Sequence, residues 1–546
     1  MDSAFNRWRW HCVALGLYAA ASWVFLDHGM SLTNRILGSK PDPTLIMWFL
    51  AWWPYALAHH FNPYFTVLVW QPEGLNLAWT TCVPLLALLG WPITVLGGPV
   101  LAFNLLTLAA PVLAAFAAYA LCLHITKTFR AALLGGYLFG FSVYEMAQLG
   151  GGHLNLGFTA FIPCLLLVTL LRCEARISRL HFVLLAALLV VGQFLVSAEI
   201  CATMLMFSGL AWVLAMMFLR PQRKVLREFV VDGVLAGFLT VLALSPMLYA
   251  MFALRRDIAL PAFWPAMFST DPLNLIVPTV SSAIGSAMTW PLSRRFTGIL
   301  CEQDGYLGIV ALFILDRYLV EVAQPRFGRF LAVLFGVILV MSFGPQLWLA
   351  GIRTGIPLPW AVFLHLPLIK SALPGRFMLY AALSVAVVVA MFVAARPRGL
   401  LLALLACVSL LPYPQPGMAV PYSAFFAPGR LEQFLGRQAR VLIFPFGFTG
   451  VSSFWQAENR FGFSQSGGYL GFPPRTVQSD GPIIRLYFGI DTSAFPADFV
   501  HYCQSTGTEY VVAGPGTSLD IQAALAALDW QTQKIDDVIV YKVPKT

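Results

Sequence analysis

The chain has 546 residues, of which 59% are Ala, Val, Ile, Leu, Met, Phe, Trp, Tyr or Cys and only 11% are charged. A soluble chain carries about 25% charged residues and no single soluble core absorbs such an apolar excess, while disorder needs far more polar segments. The net charge of +9 lies mostly in short connectors between apolar runs, with no basic stripe among exposed aromatics, which speaks against a nucleic-acid partner.

In chain order, Arg7-Trp8-Arg9 followed by the apolar run 10–26 has the layout of a signal peptide. Cleavage at Ala19-Ala20-Ala21 would leave an apolar core of only about ten residues, so an uncleaved first span is expected. Runs long enough to cross a bilayer predict eleven spans: 10–26, 99–125, 131–147, 153–171, 180–198, 201–219, 232–253, 305–320, 330–349, 377–395 and 399–415. Segment 83–97 is apolar but carries Pro84, Pro92 and a Gly97-Gly98-Pro99 break, which predicts a half-helix. With the N-terminus inside, sixteen Lys and Arg fall in short inner connectors and nine in much longer outer loops. That layout satisfies the positive-inside rule. The long outer loops are 27–98, 254–304 and 350–376, so function is expected on the outer face.

After Pro412 the pattern becomes that of a soluble region, with strands expected at 440–444, 509–513 and 538–542 and a helix at 519–528. Gly514-Pro-Gly516 stands where a dinucleotide loop would stand, yet Leu519 takes the place of the third glycine, and a plain turn is expected. The nine cysteines form no CxxC pair. The expected fold is an α-helical polytopic membrane domain, 1–415, followed by a small extracytoplasmic α/β domain, 416–546.

Ionisable groups stand out in so apolar a chain. Glu145 and Glu199 fall at the outer ends of spans, where an acid is either functional or satisfied by water and neighbouring backbone. Asp42 precedes Pro43, which also fits a helix N-cap followed by proline at the first helical position. The Trp-rich run 45–53 behind it reads as a helix at the membrane interface. In Gln148-Leu-Gly-Gly-Gly-His-Leu-Asn155 the glycines permit a tight turn that lets His153 and Asn155 face a cavity; a structural histidine is the plainer reading. Lys370 and Arg376 lead into the tenth span. Arg376 suits a phosphate by its bidentate fork, with snorkelling to ordinary headgroups as the alternative.

At these residues the chain resembles the GT-C superfamily of polytopic membrane glycosyltransferases. The likeness lies in the layout of a first span, then a large loop with an acid near its start (Asp42 with 44–60). It extends to Gly152-His-Leu-Asn155, Glu302-Gln-Asp-Gly-Tyr-Leu-Gly308 and Leu373-Pro-Gly-Arg-Phe377. The resemblance is to bacterial members with a periplasmic C-terminal domain. It implies a polyprenyl-phosphate sugar as donor, a glycan or glycolipid acceptor, and the inner membrane, with the N-terminus cytoplasmic. It further implies Asp42 as base or acceptor-orienting carboxylate, Arg376 on the leaving phosphate, and His153 and Glu199 shaping the cavity. Lys40-Pro41-Asp42-Pro43 departs from the paired-acid form of the motif. Because a divalent cation wants several oxygen ligands, no metal or other cofactor is expected; Glu145 or Glu199 would have to supply a second acid. The competing class is a transporter or flippase of a lipid-linked precursor, which favours midplane charges and internal repeats, and neither is found.

Overall fold

The computed structural model describes residues 2–27, 29, 31–39, 41–254, 264–285, 288–366, 369–414, 417–489 and 495–544. Among them seven helices are long and apolar enough to cross a membrane: Pro84–Thr126, Leu154–Cys173, Arg179–Val196, Ala198–Phe218, Arg220–Ala253, Pro325–Ser342 and Pro374–Ala395. The chain is a multi-pass membrane protein with a small C-terminal sheet region, as expected. The remaining expected spans are met by shorter or interrupted helices. The first is Asp2–Ser22 with a π turn at Trp23–Asp27, the eighth is Ile309–Glu321, and the last is Leu400–Ser409. The expected span 131–147 divides into Phe129–Gly140 and Val143–Gly150. The reason is local: Ser142 Oγ accepts the Glu145 N–H at 3.3 Å and caps a new helix, in the Ser-x-x-Glu spacing of a capping box. Within Pro84–Thr126, Gly98 takes φ 81° and ψ 169°, the break that Gly97-Gly98-Pro99 predicts.

The chain forms two compact units. The first comprises Met1–Met30, Thr107–Leu244 and Pro261–Pro416. Its post is the helix Met378–Ala395, most of whose residues are buried. The helix Phe129–Gly140 packs on it, and on its other side approaches Pro84–Thr126 and the first helix through Gly136 and Gly140. Tyr18 donates to Leu133 O at 2.9 Å across this contact. Elsewhere in the unit Asp232, fully buried, receives Arg172 Nε at 3.0 Å and is ion-paired with Arg179 at 2.6 Å, while Arg172 also reaches Glu228 at 3.2 Å. This clamp ties together the helices Phe161–Cys173, Arg179–Val196 and Arg223–Ala253.

The second unit comprises Ser31–Leu106, Ser245–Leu260 and Gly417–Thr546. Its sheet has β1 (Arg440–Phe444), β2 (Ser464–Gln465), β3 (Tyr510–Ala513), β4 (Gln531–Ile535) and β5 (Val538–Lys542) in the order β4-β5-β3-β1-β2. β1 runs parallel to β2 and β3, and the other pairs are antiparallel. The helix Asp42–Ala58 lies against this region rather than presenting its aromatics to a membrane interface. Trp48 and Trp52 are fully buried, stacked on one another, with both rings 5.5 Å from that of Phe461. Buried indoles need a hydrogen-bond acceptor, and Trp48 Nε1 finds Gln456 Oε1 at 2.8 Å. Gln456 Nε2 in turn donates to Leu68 O at 2.9 Å, and Gln71 N to Gln465 O at 3.2 Å, so the first long loop is stitched to the C-terminal region.

Candidate active site

In the second unit, Asp42 stands in the first turn of its helix, behind Pro41 at the cap position. The sequence allowed Asp42 to be the cap itself, but no side chain caps this helix. Instead the Tyr469 hydroxyl donates to Asp42 Oδ1 at 2.6 Å, a charge-assisted bond of the short, strong kind. Tyr469 is fixed from behind, since Ser453 Oγ donates to its carbonyl at 2.7 Å and accepts its N–H at 3.1 Å. Tyr487 packs beside Tyr469 with ring centroids 6.5 Å apart, and its hydroxyl donates to Gly471 O. Burial and then the Asp42 charge hold both phenols well above the ordinary tyrosine range, so each stays a donor at neutral pH. The arrangement presents one half-buried, oriented carboxylate. Lys40, the other charged residue of that motif, lies outside the described residues.

In the first unit, Arg376 is the hub. Its Nε donates to both Glu302 oxygens at 3.1 and 3.3 Å, one terminal nitrogen donates to Glu302 Oε1 at 2.6 Å, and the other pairs with Glu199 Oε2. Glu199 Oε1 also accepts the Leu373 N–H at 3.1 Å. A guanidinium has five N–H groups, so two remain beyond those given to the carboxylates. Gln148 continues the network: its Nε2 lies 3.0 Å from Cys301 O, 3.3 Å from Glu302 Oε2 and 2.9 Å from Asp304 Oδ2. Its Oε1 can only accept, so His153 Nδ1, 2.7 Å away, carries the proton of that bond. Asp304 is buried and its Oδ1 has no hydrogen-bond partner among the described residues. Burial, and then the Glu302 charge, push its carboxyl well above the usual range.

Of the residues singled out in the sequence, the structure therefore joins Glu199, Arg376 and His153 in one network. Glu145 is fully buried beside it and bonded by Thr159. Asn155 sits in the short helix Leu154–Gly157, and Lys370 is exposed in the turn Ile369–Ser371. Asp42 belongs to the other unit. Sequence reasoning missed Gln148 and Tyr469 as partners and used Glu302 and Asp304 only as part of a motif. Among the described residues no three His, Cys, Asp or Glu side chains are grouped as a metal site requires.

No protein-family model matches this sequence, and no curated protein matches it. Among solved structures, arabinofuranosyltransferase AftD from Mycobacteria aligns with 98% of this chain at 14% identity and a TM-score of 0.60. The chain spans 42% of that protein's length. Oligosaccharyltransferase AglB from Archaeoglobus fulgidus, in complex with an inhibitory peptide and a dolichol-phosphate, aligns with 94% of this chain and 70% of its own, at 12% identity and a TM-score of 0.46. ArnT from Cupriavidus metallidurans, bound to undecaprenyl phosphate, aligns over 98% of both chains at 14% identity and a TM-score of 0.42. Of the three, the first carries the assignment of fold. This chain shares the fold of the part of arabinofuranosyltransferase AftD with which it aligns.

Proposed function

We propose that the chain is an integral-membrane glycosyltransferase that moves a sugar from a polyprenyl-phosphate donor to a glycan or glycolipid acceptor. The observation that carries this reading is Asp42, an oriented, half-buried carboxylate at the head of the first loop helix, held by Tyr469 at 2.6 Å. In the proposed reaction Asp42 takes the proton of an acceptor hydroxyl as that oxygen attacks the anomeric carbon. The sugar–phosphate bond breaks, its electron pair leaves with the phosphate, and a guanidinium stabilises the charge that develops there. Arg376, with its two remaining N–H groups, is the residue assigned to bind a polyprenyl phosphate. His153 and Asn155 line the donor side, Glu145 supports their turn, and Lys370 meets the lipid headgroups. The charge pattern of the connectors supports a cytoplasmic N-terminus with the region 416–546 outside, and the resemblance in sequence supports a bacterial inner membrane.

The test is the mass-spectrometric profile of extracytoplasmic glycolipids and polysaccharides in cells lacking the gene and in cells carrying Asp42→Asn at normal abundance. Loss of one sugar in both, with its polyprenyl-phosphate donor accumulating, is the expected result; removing a general base slows transfer by roughly 10²- to 10⁴-fold. A deletion phenotype that Asp42→Asn fully restores would remove Asp42 from catalysis.

A further inference from the structure

The second unit holds a cleft of about 360 Å³ that the scheme above does not use, within the size range of small-ligand sites. One wall is the end of a two-stranded ladder in which Arg35 pairs with Ala419 and Ile36 with Met418; it carries Thr33, Asn34 and Tyr422. Gly98, at the break in its helix, forms a second wall, and nothing lies within 4 Å of where its Cβ would stand. Phe454 and Glu458, from the helix Ser452–Glu458, form the third.

Thr33 is bonded to Ser31 and to Asn34 Oδ1, while other polar groups of the cleft are not consumed by the protein. Among the described residues the Glu458 carboxylate accepts no hydrogen bond, the Tyr422 hydroxyl has no partner, and the side-chain Nδ2 of Asn34 donates to nothing. Burial raises the Glu458 carboxyl, opposed by Arg460. The Tyr422 side chain is 65% exposed and Phe454 is 1% exposed, so one aromatic is offered to a ligand while the other floors the site.

That inventory discriminates between ligand classes. A cation is poorly served, because the lining holds a single carboxylate and a cation wants several oxygens. A phosphate finds no Lys or Arg in the lining and meets the Glu458 charge instead. An acyl chain would strand four polar side chains. A saccharide fits each group: its hydroxyls both donate and accept, matching a carboxylate, an amide and hydroxyls. Its C–H face lies against an aromatic ring.

We propose that this cleft is a saccharide-binding subsite, with Tyr422 as the stacking platform and Glu458 and Asn34 as the hydroxyl-reading groups. The helix that presents Glu458 also presents Ser453, which clasps Tyr469 and through it Asp42. One helix thus serves both the cleft and the clasp on Asp42; that the bound saccharide is the acceptor rests on the transferase reading, and the binding chemistry itself does not.

The experiment uses the full chain in lipid nanodiscs. An array of free hexose and pentose oligosaccharides is screened, and the strongest binder is titrated by calorimetry. Tyr422→Ala and Glu458→Gln are each expected to weaken binding by about tenfold, with Tyr422→Phe within about threefold of the parent. Binding seen only when the glycan is carried on a lipid supports the site and names a glycolipid headgroup as its source. Absence of binding by both free and lipid-linked saccharides overturns the proposal, as does binding that neither Tyr422→Ala nor Glu458→Gln weakens. Saccharide binding in a chain without any transfer activity would keep the subsite and remove the transferase reading.

Discussion

Arg376 is held by two carboxylates in unequal surroundings, since the Glu302 side chain is 2% exposed and that of Glu199 is 25% exposed. Removing the guanidinium leaves Glu302 as an uncompensated buried charge, a change that typically costs about 3–5 kcal/mol, whereas the rim partner matters less. Arg376→Ala is therefore expected to lower Tm by several degrees, and Glu302→Gln in the same chain to recover most of the loss, read by thermal unfolding in detergent. No recovery would show that packing, not charge, is lost. Asp304 gives a pH signature. Its folded carboxyl is raised above the unfolded value, so the folded form binds the proton more tightly. Stability from that proton is complete below the ordinary carboxylate range and falls as pH rises toward the folded value. Asp304→Asn keeps an acceptor for Gln148 and removes the titration. Its Tm should exceed the parent's at pH 8 and converge with it toward pH 4, and an unchanged difference across that range would exclude this origin. Asp42, Glu199, His153 and Arg376 were legible in the sequence because ionisable groups are sparse in an apolar chain. Tyr469 was not: it lies 427 positions from Asp42, and no local pattern joins them.

At the scale of elements, the approach of Phe129–Gly140 to its neighbours depends on Gly136 and Gly140, a Gly-x-x-x-Gly spacing that lets helix backbones come close. A Cβ on Gly140 would lie 2.5 Å from Ala115 N and Pro111 O, both backbone atoms that cannot step aside. Gly140→Ala should destabilise by about 1–3 kcal/mol, as overpacking does. Gly209 is the contrast, within Ala198–Phe218 and with nothing within 4 Å of its Cβ position. Gly209→Ala should be neutral or stabilise by about 0.4–1 kcal/mol. Equal effects of the two substitutions on Tm would show that the close approach is not what Gly140 provides. Long apolar helices were legible because length and hydropathy suffice to find them. The break at Phe141-Ser142 was not, because a window of apolar residues averages over one capping serine. β4, Gln531–Ile535, escaped for a related reason: four of its five residues are exposed, so it carries no alternation. The Trp-rich helix was found but misassigned, since buried and interfacial tryptophans look alike in sequence.

At the scale of the whole molecule, composition marks where hydropathy changes, whereas contacts gather segments that are far apart in the chain. The second unit draws on residues before 107 and after 416, and its Trp48 and Trp52 are covered by Phe461 and Gln456. Deleting 417–546 should therefore uncover two indoles and yield aggregated material. A truncated chain that elutes as a monodisperse peak with unshifted tryptophan emission would contradict this. The clamp on Asp232 bears on how such a chain is made. Arg172 and Arg179 precede Asp232 in the sequence and leave the ribosome first. A lone aspartate on a membrane-spanning helix is costly, and a waiting pair of guanidinium groups offsets that cost. Assembly of this region is then sequential by construction: the helix Arg223–Ala253 arrives at counter-ions that two earlier helices have already put in place.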